Sequence, residues 1–230
     1  MKLPKLLKKI GKAADREDIN AFVVGGFVRD AFLGIKDKDI DIVVEANAIN
    51  FAKTLAEKWG VKPVLHEGFK TATIEEAGYR IDLATARREV YKKPAVLPSI
   101  RPSTIKEDLF RRDFTINAMA ISLNQPAFGR LADFFGGISD LKNKAIRVLH
   151  DQSFMDDPTR ILRAIRLKER LGFKIDPHTE KLMRDAIRAG IFTMLKKQRL
   201  KKEIDLILDE PRSLNIISEL KALELDIKFP

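Results

Sequence analysis

The chain has no cysteine among its 230 residues, which excludes disulfides, thiolate metal sites and cysteine nucleophiles. It also has no run of 18 apolar residues, so we expect no membrane-spanning segment. The segment 1–12 lacks the apolar core and the cleavage site of a signal peptide, and an amphipathic first helix is expected there. These absences are compatible with a cytoplasmic protein, and that is the location we expect.

Positive charge is in excess. The 43 Lys and Arg residues outnumber the 33 Asp and Glu residues and give a formal net charge of +10. An excess of this size favours a polyanionic partner, with nucleic acid as the leading candidate. The alternative is a charge-rich surface of the kind found in thermophiles, which explains many charges but not their imbalance.

The first part of the chain mixes short strands with helices. Apolar runs and turn residues predict strands at 21–24, 39–44, 61–65, 71–75, 79–86 and 146–149. Helices are predicted at 27–33, closed by Gly34, and from Asn47 as N-cap to Trp59, stopped by Gly60. A further short helix is predicted after Ser103 or Thr104. Three prolines and several charges predict a long loop over 87–103.

The last part of the chain has a helical pattern. Helices are predicted near 158–171, 177–189, 195–208 and 212–223, with Gly172, Gly190 and Pro211 as breaks. We therefore expect a mixed α/β domain over 1–145 and an all-helical part over 146–230.

Two aspartates lie in one predicted strand, where aspartate is unusual. Asp39 and Asp41 are two residues apart and therefore point to the same face of the strand. Carboxylates held this close repel each other unless a cation lies between them, and Mg²⁺ is the natural choice because it prefers hard oxygen ligands. If the strand of Asp82 pairs beside the first, Asp82 joins as a third carboxylate and suits a two-metal site. The alternative is a set of solvated acids on an exposed sheet face.

A glycine pair precedes this strand. Gly25 and Gly26 stand at a strand-to-helix turn, where the absence of side chains lets the backbone approach a ligand closely. The following helix offers free N–H groups to a phosphate. Arg29 either adds a charged donor to that phosphate or pairs with Asp30. A glycine pair by itself is weak evidence, and its value comes from its position upstream of the aspartates.

Four ordered motifs carry a resemblance to a known family. The segment 25–30, followed by Asp39-Ile40-Asp41, resembles the nucleotidyltransferase head of the DNA polymerase β superfamily. Arg111-Arg112-Asp113-Phe114-Thr115-Ile116-Asn117-Ala118 and the run 157–166 narrow the resemblance to the bacterial-type (class II) tRNA nucleotidyltransferase and poly(A) polymerase family. The match extends from about residue 20 to about 208.

The resemblance implies an α/β head with a small, mostly antiparallel sheet and a helical neck. It implies transfer of a nucleotide from CTP or ATP to the 3′ end of tRNA: CCA addition, or CC or A addition alone. Asp39 and Asp41 match the metal ligands, and Gly25, Gly26 and Arg29 match the triphosphate turn. The sugar and phosphates are contacted in the family by residues that match Arg112, Asp113 and Asn117.

Asp157 and Arg160 match the pair that reads the incoming base. A carboxylate accepts from the amino group of cytosine or adenine, and a guanidinium donates to the adjacent ring nitrogen. Guanine and uracil have the opposite polarity and would leave buried groups unpaired. The alternative is an ordinary helix salt bridge between residues three apart.

The segment containing Arg87 and Arg88 resembles the flexible loop of the family, which helps to switch from C to A addition. Its presence favours an enzyme that adds A over one that adds only CC.

The sequence departs from the family pattern at two positions: Asp156 stands where the family usually has Glu, and Lys70 follows Phe69 where Gly is usual. Family members also have helical body and tail domains, so the chain is expected to hold the head, the neck and at most the start of a body. Poly(A) addition and a non-catalytic RNA-binding derivative are the alternative functions.

Overall fold

The computed structural model describes residues 3–91 and 93–225. Over these residues the chain forms ten α-helices and eleven strands. The helices are α1 Lys5–Arg16, α2 Gly26–Leu33, α3 Ala48–Trp59, α4 Ile105–Phe110, α5 Gly137–Lys142, α6 Ser153–Asp156, α7 Thr159–Leu171, α8 Pro177–Arg188, α9 Lys197–Leu208 and α10 Ser213–Ala222. The strands are β1 Ala21–Val24, β2 Asp39–Val44, β3 Val64–His66, β4 Thr71–Glu76, β5 Tyr79–Thr85, β6 Arg87–Val90, β7 Ser99–Pro102, β8 Ala120–Ser122, β9 Leu131–Ala132, β10 Ala145–Ile146 and β11 Lys174–Ile175.

A seven-stranded sheet has the order β3-β4-β5-β2-β1-β8-β9. Its pairs are antiparallel except for β2 and β5, which run parallel. The parallel pair requires a crossover, and α3, β3 and β4 form that connection. The predicted α/β architecture with a mostly antiparallel sheet is confirmed.

Local capping residues explain why the bounds of α3 agree with the sequence prediction. The side chain of Asn47 accepts hydrogen bonds from the backbone N–H groups of Ile49 and Asn50, and Gly60 ends α3 in the left-handed conformation. Both are the devices that the sequence predicts at these positions. Gly34 closes α2 in the same way.

Contacts divide the chain into two compact units. The first consists of the chain up to Glu89 together with Ile100–Arg112 and Ile116–Gly137. In it, α3 packs against β4 and β5, and α1 packs against β1 and α3. The second consists of Val90–Ser99, Asp113–Thr115 and the chain from Ile138 onward. In it, α7 packs against α9 and α10. The expected domain boundary between residues 145 and 146 stays a prediction.

The predicted long loop over 87–103 is wrong as a description of the backbone. Strands β6 and β7 pair there as a two-stranded sheet. Pro94 and Pro98 lie in the connection between the strands and Pro102 ends β7, so none of them interrupts the interior of a strand.

The strand predicted at 146–149 is shorter than expected, and the part after it is not wholly helical. Ala145 and Ile146 pair in parallel with Lys174 and Ile175. The short strands β8 and β9 and the helix α5 were not predicted. The predicted first helix begins at Lys5 and ends at Arg16, and residues 1 and 2 lie outside the described residues.

None of the helices in the described part of the chain is long and apolar enough to span a bilayer.

Candidate active site

Strand β2 presents two carboxylates on one face. Asp39 and Asp41 are exposed, whereas Ile40 and Ile42 between them are buried, as the alternation of a strand requires. On the neighbouring strand, Asp82 is the register partner of Asp41. The conditional prediction that β5 pairs beside β2 is therefore confirmed, and the pairing sets Asp82 directly opposite Asp41.

Asp82 is held in place by two neighbours. Thr73, its register partner on β4, donates its hydroxyl to Oδ1 at 2.5 Å. The Nε of Arg80 donates to Oδ2 at 3.1 Å. The Arg80 side chain is 55% exposed, so this ion pair adds orientation and little stability. Thr73 was not recognised from the sequence, because its position opposite Asp82 depends on the sheet register.

Burial and neighbouring charges raise the pKa of Asp41. Burial of its carboxylate by the surrounding protein is the largest cause, even though part of the side chain reaches solvent. The charge of Arg112 opposes the rise, while Asp82, Asp37 and Asp39 add to it. A cation among these carboxylates would relieve the repulsion.

The carboxylates do not form a closed cage. Within residues 3–91 and 93–225, no three Asp, Glu or His side chains converge as a ready-made metal cluster. An open pair of hard oxygen donors still fits a divalent cation that keeps several of its waters and shares phosphate oxygens with a nucleotide.

The glycine turn brings three predicted residues together. Gly25 has φ 73° and ψ −141°, a conformation that residues with a side chain rarely adopt. A Cβ atom at Gly25 would lie 3.0 Å from Nη1 of Arg112 and 3.1 Å from Oδ2 of Asp41. The turn is therefore in close contact with both side chains, and α2 begins at the next residue, Gly26, with its first N–H groups unpaired within the helix.

Arg29 is buried and forms a network behind the turn. Its Nε and Nη2 each donate to Asp30 at 2.8 Å, and its Nη1 donates to Oδ1 of Asn117 at 2.7 Å. The pairing with Asp30 that the sequence allowed is therefore present. Asn117 is buried beside it, so the contact joins two of the predicted nucleotide-binding residues.

Arg112 is oriented by a residue that the sequence reading missed. Asp108 is fully buried, and it accepts from Nη2 of Arg112 at 3.1 Å and from Nη2 of Arg111 at 2.7 Å. The spacing of four residues between Asp108 and Arg112 was the available signal. The Nε of Arg112 is buried with no hydrogen-bond acceptor among the described residues.

Asp113 belongs to the second unit and has its own partner. Its Oδ2 accepts from Nη2 and Nε of Arg163 at 2.6 Å and 2.9 Å. The carboxylate of Asp113, followed by that of Glu203, raises the pKa of Arg163, although burial opposes this. Arg163 and Glu203 were not predicted, because they lie 50 and 90 residues from Asp113 in sequence.

Asp157 and Arg160 lie at the start of α7 in the same unit. Asp157 accepts from the backbone N–H of Thr159 at 3.0 Å and from Nη2 of Arg199 at 2.6 Å. Arg160 is buried, and its Nη1 donates to the hydroxyl of Ser153 at 2.6 Å. Both side chains are thus fixed by neighbours, Arg199 and Ser153.

Arg87 and Arg88 lie on β6. Arg87 is partly buried and its Nη2 donates to Glu89 at 3.2 Å, whereas Arg88 is 48% exposed and lies 4.0 Å from Glu107. Of the predicted residues, Gly25, Asp41 and Arg112 are in close contact and Arg29 contacts Asn117. Asp113, Asp157 and Arg160 belong to the second unit.

The poly A polymerase head domain family matches residues 21–147, more than half of the chain, so the chain belongs to this family. Among curated proteins it is similar to the A-adding tRNA nucleotidyltransferase of Geobacter sulfurreducens, with 44% identity over 96% of this chain and 25% of the relative. It is also similar to the A-adding tRNA nucleotidyltransferase of Aquifex aeolicus, with 49% identity over 86% of this chain and 24% of the relative.

A solved structure of a CCA-adding enzyme in an apo form superposes with a TM-score of 0.91 and is 49% identical. The match covers 96% of this chain and 52% of that one. The chain therefore spans about a quarter of the length of the two curated relatives and about half of the solved structure. Nucleotidyltransferases of this kind generally use divalent metal ions.

Proposed function

We propose that the chain is a template-independent nucleotidyltransferase that transfers AMP from ATP to the 3′ end of tRNA, with Mg²⁺ as its metal. The observation that carries the proposal is the pairing of β2 with β5, which sets Asp41 opposite Asp82 while Gly25 and Arg112 lie against Asp41. Both curated relatives described above are A-adding enzymes, which supports AMP rather than CMP as the added unit.

The first unit has the groups that bind and orient a triphosphate. Asp39 and Asp41 would hold the Mg²⁺, which supplies positive charge to the phosphates when bound and favours ionisation of the attacking hydroxyl. The N–H groups at the start of α2 donate hydrogen bonds to a phosphate oxygen. Arg112, whose Nη1 lies against the glycine turn, offers its positive charge to the same anion.

Positioning supplies most of the catalysis in such a reaction. The 3′ hydroxyl of the RNA loses its proton to water and attacks the α-phosphorus in line, an oxygen–phosphorus bond forms, and pyrophosphate leaves with the electrons of the broken bond. The rigid β2–β5 register and the buried Arg29–Asp30–Asn117 contacts fix the groups that hold the phosphates. Little reorganisation is then needed during the reaction.

Asp157 and Arg160 are proposed to read the base. Arg199 and Thr159 fix the Asp157 carboxylate, and Ser153 fixes the Arg160 guanidinium. An acceptor and a donor held at fixed positions match the amino group and ring nitrogen of adenine. A guanine or uracil presents the opposite polarity to this acceptor and donor, and each polar group of the base that is left without a partner costs about 1–3 kcal/mol.

The test uses three RNAs, each incubated with Mg²⁺ and with ATP or CTP separately: tRNA without its CCA end, tRNA ending in CC, and an unrelated oligonucleotide. Sequencing of the 3′ ends is expected to show one added A on the tRNA ending in CC. Addition of C would replace the proposal with CC or CCA addition, and long A tracts on any RNA would replace it with poly(A) synthesis.

The Asp41→Asn variant is the control for the metal site. This substitution removes several kcal/mol of charge stabilisation, so we expect the rate of nucleotide addition to fall by about 1,000-fold or more. RNA binding without nucleotide addition by the unaltered protein would instead indicate a non-catalytic RNA-binding derivative. Intact Asp39, Asp41 and Asp82 argue against that outcome.

A further inference from the structure

The outer face of α1 has five cationic side chains. Lys5, Lys8, Lys9, Lys12 and Arg16 are all exposed, and none of them has an ion pair or side-chain hydrogen bond to another of the described residues. The acid on the same helix is already engaged, because Asp15 accepts from the side-chain amide of Asn124 at 2.9 Å. We name these five side chains the lysine face.

The lysine face destabilises its own helix. Its members are spaced three and four residues apart, where like charges repel. Lys5 and Lys8 also lie at the N-terminal end of α1, whose first turn contains no acidic residue. Cations at that end oppose the helix dipole. An extended polyanion bound along the face would relieve both effects.

The opposite face of α1 is fixed against the rest of the first unit. Leu7, Ile10 and Ala14 are fully buried. Gly11 approaches the backbone so closely that a Cβ atom there would lie 1.9 Å from the carbonyl oxygen of Leu123. The helix cannot rotate about its axis without losing this packing, so the lysine face is held toward solvent.

We propose that the lysine face of α1 binds the phosphate backbone of RNA. Its five charges extend over about 16 Å at 1.5 Å per residue, a length that matches on the order of five phosphates of one strand. The inference rests on the proposed RNA substrate, but it does not depend on the transfer chemistry.

Two other kinds of partner fit the face less well. Helices that bind the surface of a membrane insert their apolar side, and here that side is buried in the protein. Protein interfaces have an apolar or aromatic centre and are depleted of lysine, whereas this face has only charged side chains. Repeated cations on a rigid helix without an apolar anchor suit the regular charge of a nucleic-acid backbone.

The test compares two triple variants with the unaltered protein. Lys8, Lys9 and Lys12 are replaced by Gln in the first variant, and the exposed residues Lys142, Lys174 and Lys181 of the second unit are replaced by Gln in the control. Both lose the same charge. Binding of a fluorescent tRNA ending in CC is measured by anisotropy between about 50 and 200 mM salt.

We expect the first variant to bind tRNA at least about tenfold more weakly at about 100 mM salt, with a salt slope smaller by about 2 to 3. The control should bind within about twofold of the unaltered protein. Glutamine is a good helix former, so the melting temperature of the first variant should not fall. An unchanged melting temperature then excludes loss of the fold as the reason for weaker binding.

Equal binding by the first variant and the unaltered protein would overturn the inference, as would an equal loss in both variants, which would reflect net charge alone. Binding to phosphatidylserine vesicles that depends on the same three lysines, without an effect on tRNA, would replace RNA by a membrane surface. Because binding is measured without ATP, this result is separate from the test of nucleotide transfer. If the unaltered protein adds no nucleotide, the loss of tRNA affinity in the first variant can still be measured.

Discussion

Asp108 shows how one buried carboxylate supports several functional groups. Burial alone would raise the pKa of Asp108, but the charges of Arg112 and Arg111 and their hydrogen bonds outweigh it and hold the pKa below its usual range. The backbone N–H of Arg87 also donates to Asp108, at 3.2 Å. The residue therefore ties α4, β6 and the Arg112 side chain of the candidate site together.

Replacing Asp108 by Asn is expected to lower the free energy of unfolding at neutral pH by about 3 kcal/mol, because it removes one partner from buried ion pairs. A lowered native pKa means that this stabilisation is present above the unfolded pKa of about 3.9 and is lost as the pH falls through the native pKa. The difference between the two proteins should therefore shrink below about pH 4.

Urea unfolding at neutral and acidic pH measures this effect. The exposed Asp205 provides a control, since Asp205→Asn should change stability by less than about 0.5 kcal/mol. A loss in Asp108→Asn that stayed constant down to pH 3 would show that hydrogen-bond geometry, not charge, holds the arginines.

At the scale of secondary-structure elements, the packing of α1 depends on Gly11. Leu123, whose carbonyl oxygen faces Gly11, is itself fixed, because its N–H donates to the carbonyl oxygen of Ala21 on β1 at 2.9 Å. Two effects of Gly11→Ala oppose each other. Helix propensity favours Ala by about 1 kcal/mol, whereas the contact of 1.9 Å with a backbone atom forces α1 or β8 to move.

Packing is expected to dominate in Gly11→Ala. Overpacking against fixed backbone costs about 2–3 kcal/mol after the gain in propensity, which lowers the melting temperature by roughly 5–10 °C in a chain of this size. Gly68→Ala is the matched control, because a Cβ atom there would meet nothing within 4 Å. Calorimetry that ranked the two variants in the opposite order would show that α1 is free to shift.

The elements differ in how well the sequence predicts them. The bounds of α3 follow from Asn47 and Gly60, which act on their own turns, so a local pattern is enough. Strands β8 and β9 have three and two residues, too few for a periodic signal, and they form only because the sheet edge is present. The prolines near β6 and β7 were interpreted as a loop because their positions relative to the strands depend on the pairing.

The residues of the candidate site also differ in whether a local sequence pattern predicts them. The shared face of Asp39 and Asp41 follows from strand geometry alone. The position of Asp82 opposite Asp41 needed the strand order, and the sequence offered it only as a condition. Thr73 and Ser153 hold functional side chains through hydrogen bonds whose partners are set by the folded structure, so no pattern in the sequence identified them. Asp108 was missed although its spacing of four residues from Arg112 offered a signal.

At the scale of the whole molecule, metal binding should raise the stability of the folded protein. A ligand that binds only the folded state stabilises it by about 2.7 kcal/mol at 100 times its dissociation constant. We expect the melting temperature to rise when Mg²⁺ replaces EDTA. Asp41→Asn should lose most of this rise, since it removes one of the two proposed ligands.

The same variant has a second expected property. In EDTA, Asp41→Asn should be at least as stable as the unaltered protein, because the substitution removes a charge that lies near three other carboxylates. Asp205→Asn should keep the full response to Mg²⁺ in differential scanning fluorimetry. An equal response in Asp41→Asn would place the metal elsewhere.

The parallel pairing of β2 and β5 also has a consequence for the order of folding. Hairpins such as β4–β5 close over a few residues, whereas β2 and β5 meet only after a segment of more than 30 residues has closed into a loop, at a larger entropic cost. Asp41 and Asp82 come opposite each other in that same step. We therefore expect Asp82 to join Asp39 and Asp41 only when β2 and β5 have paired, so that a nascent or partly folded chain does not present all three carboxylates together.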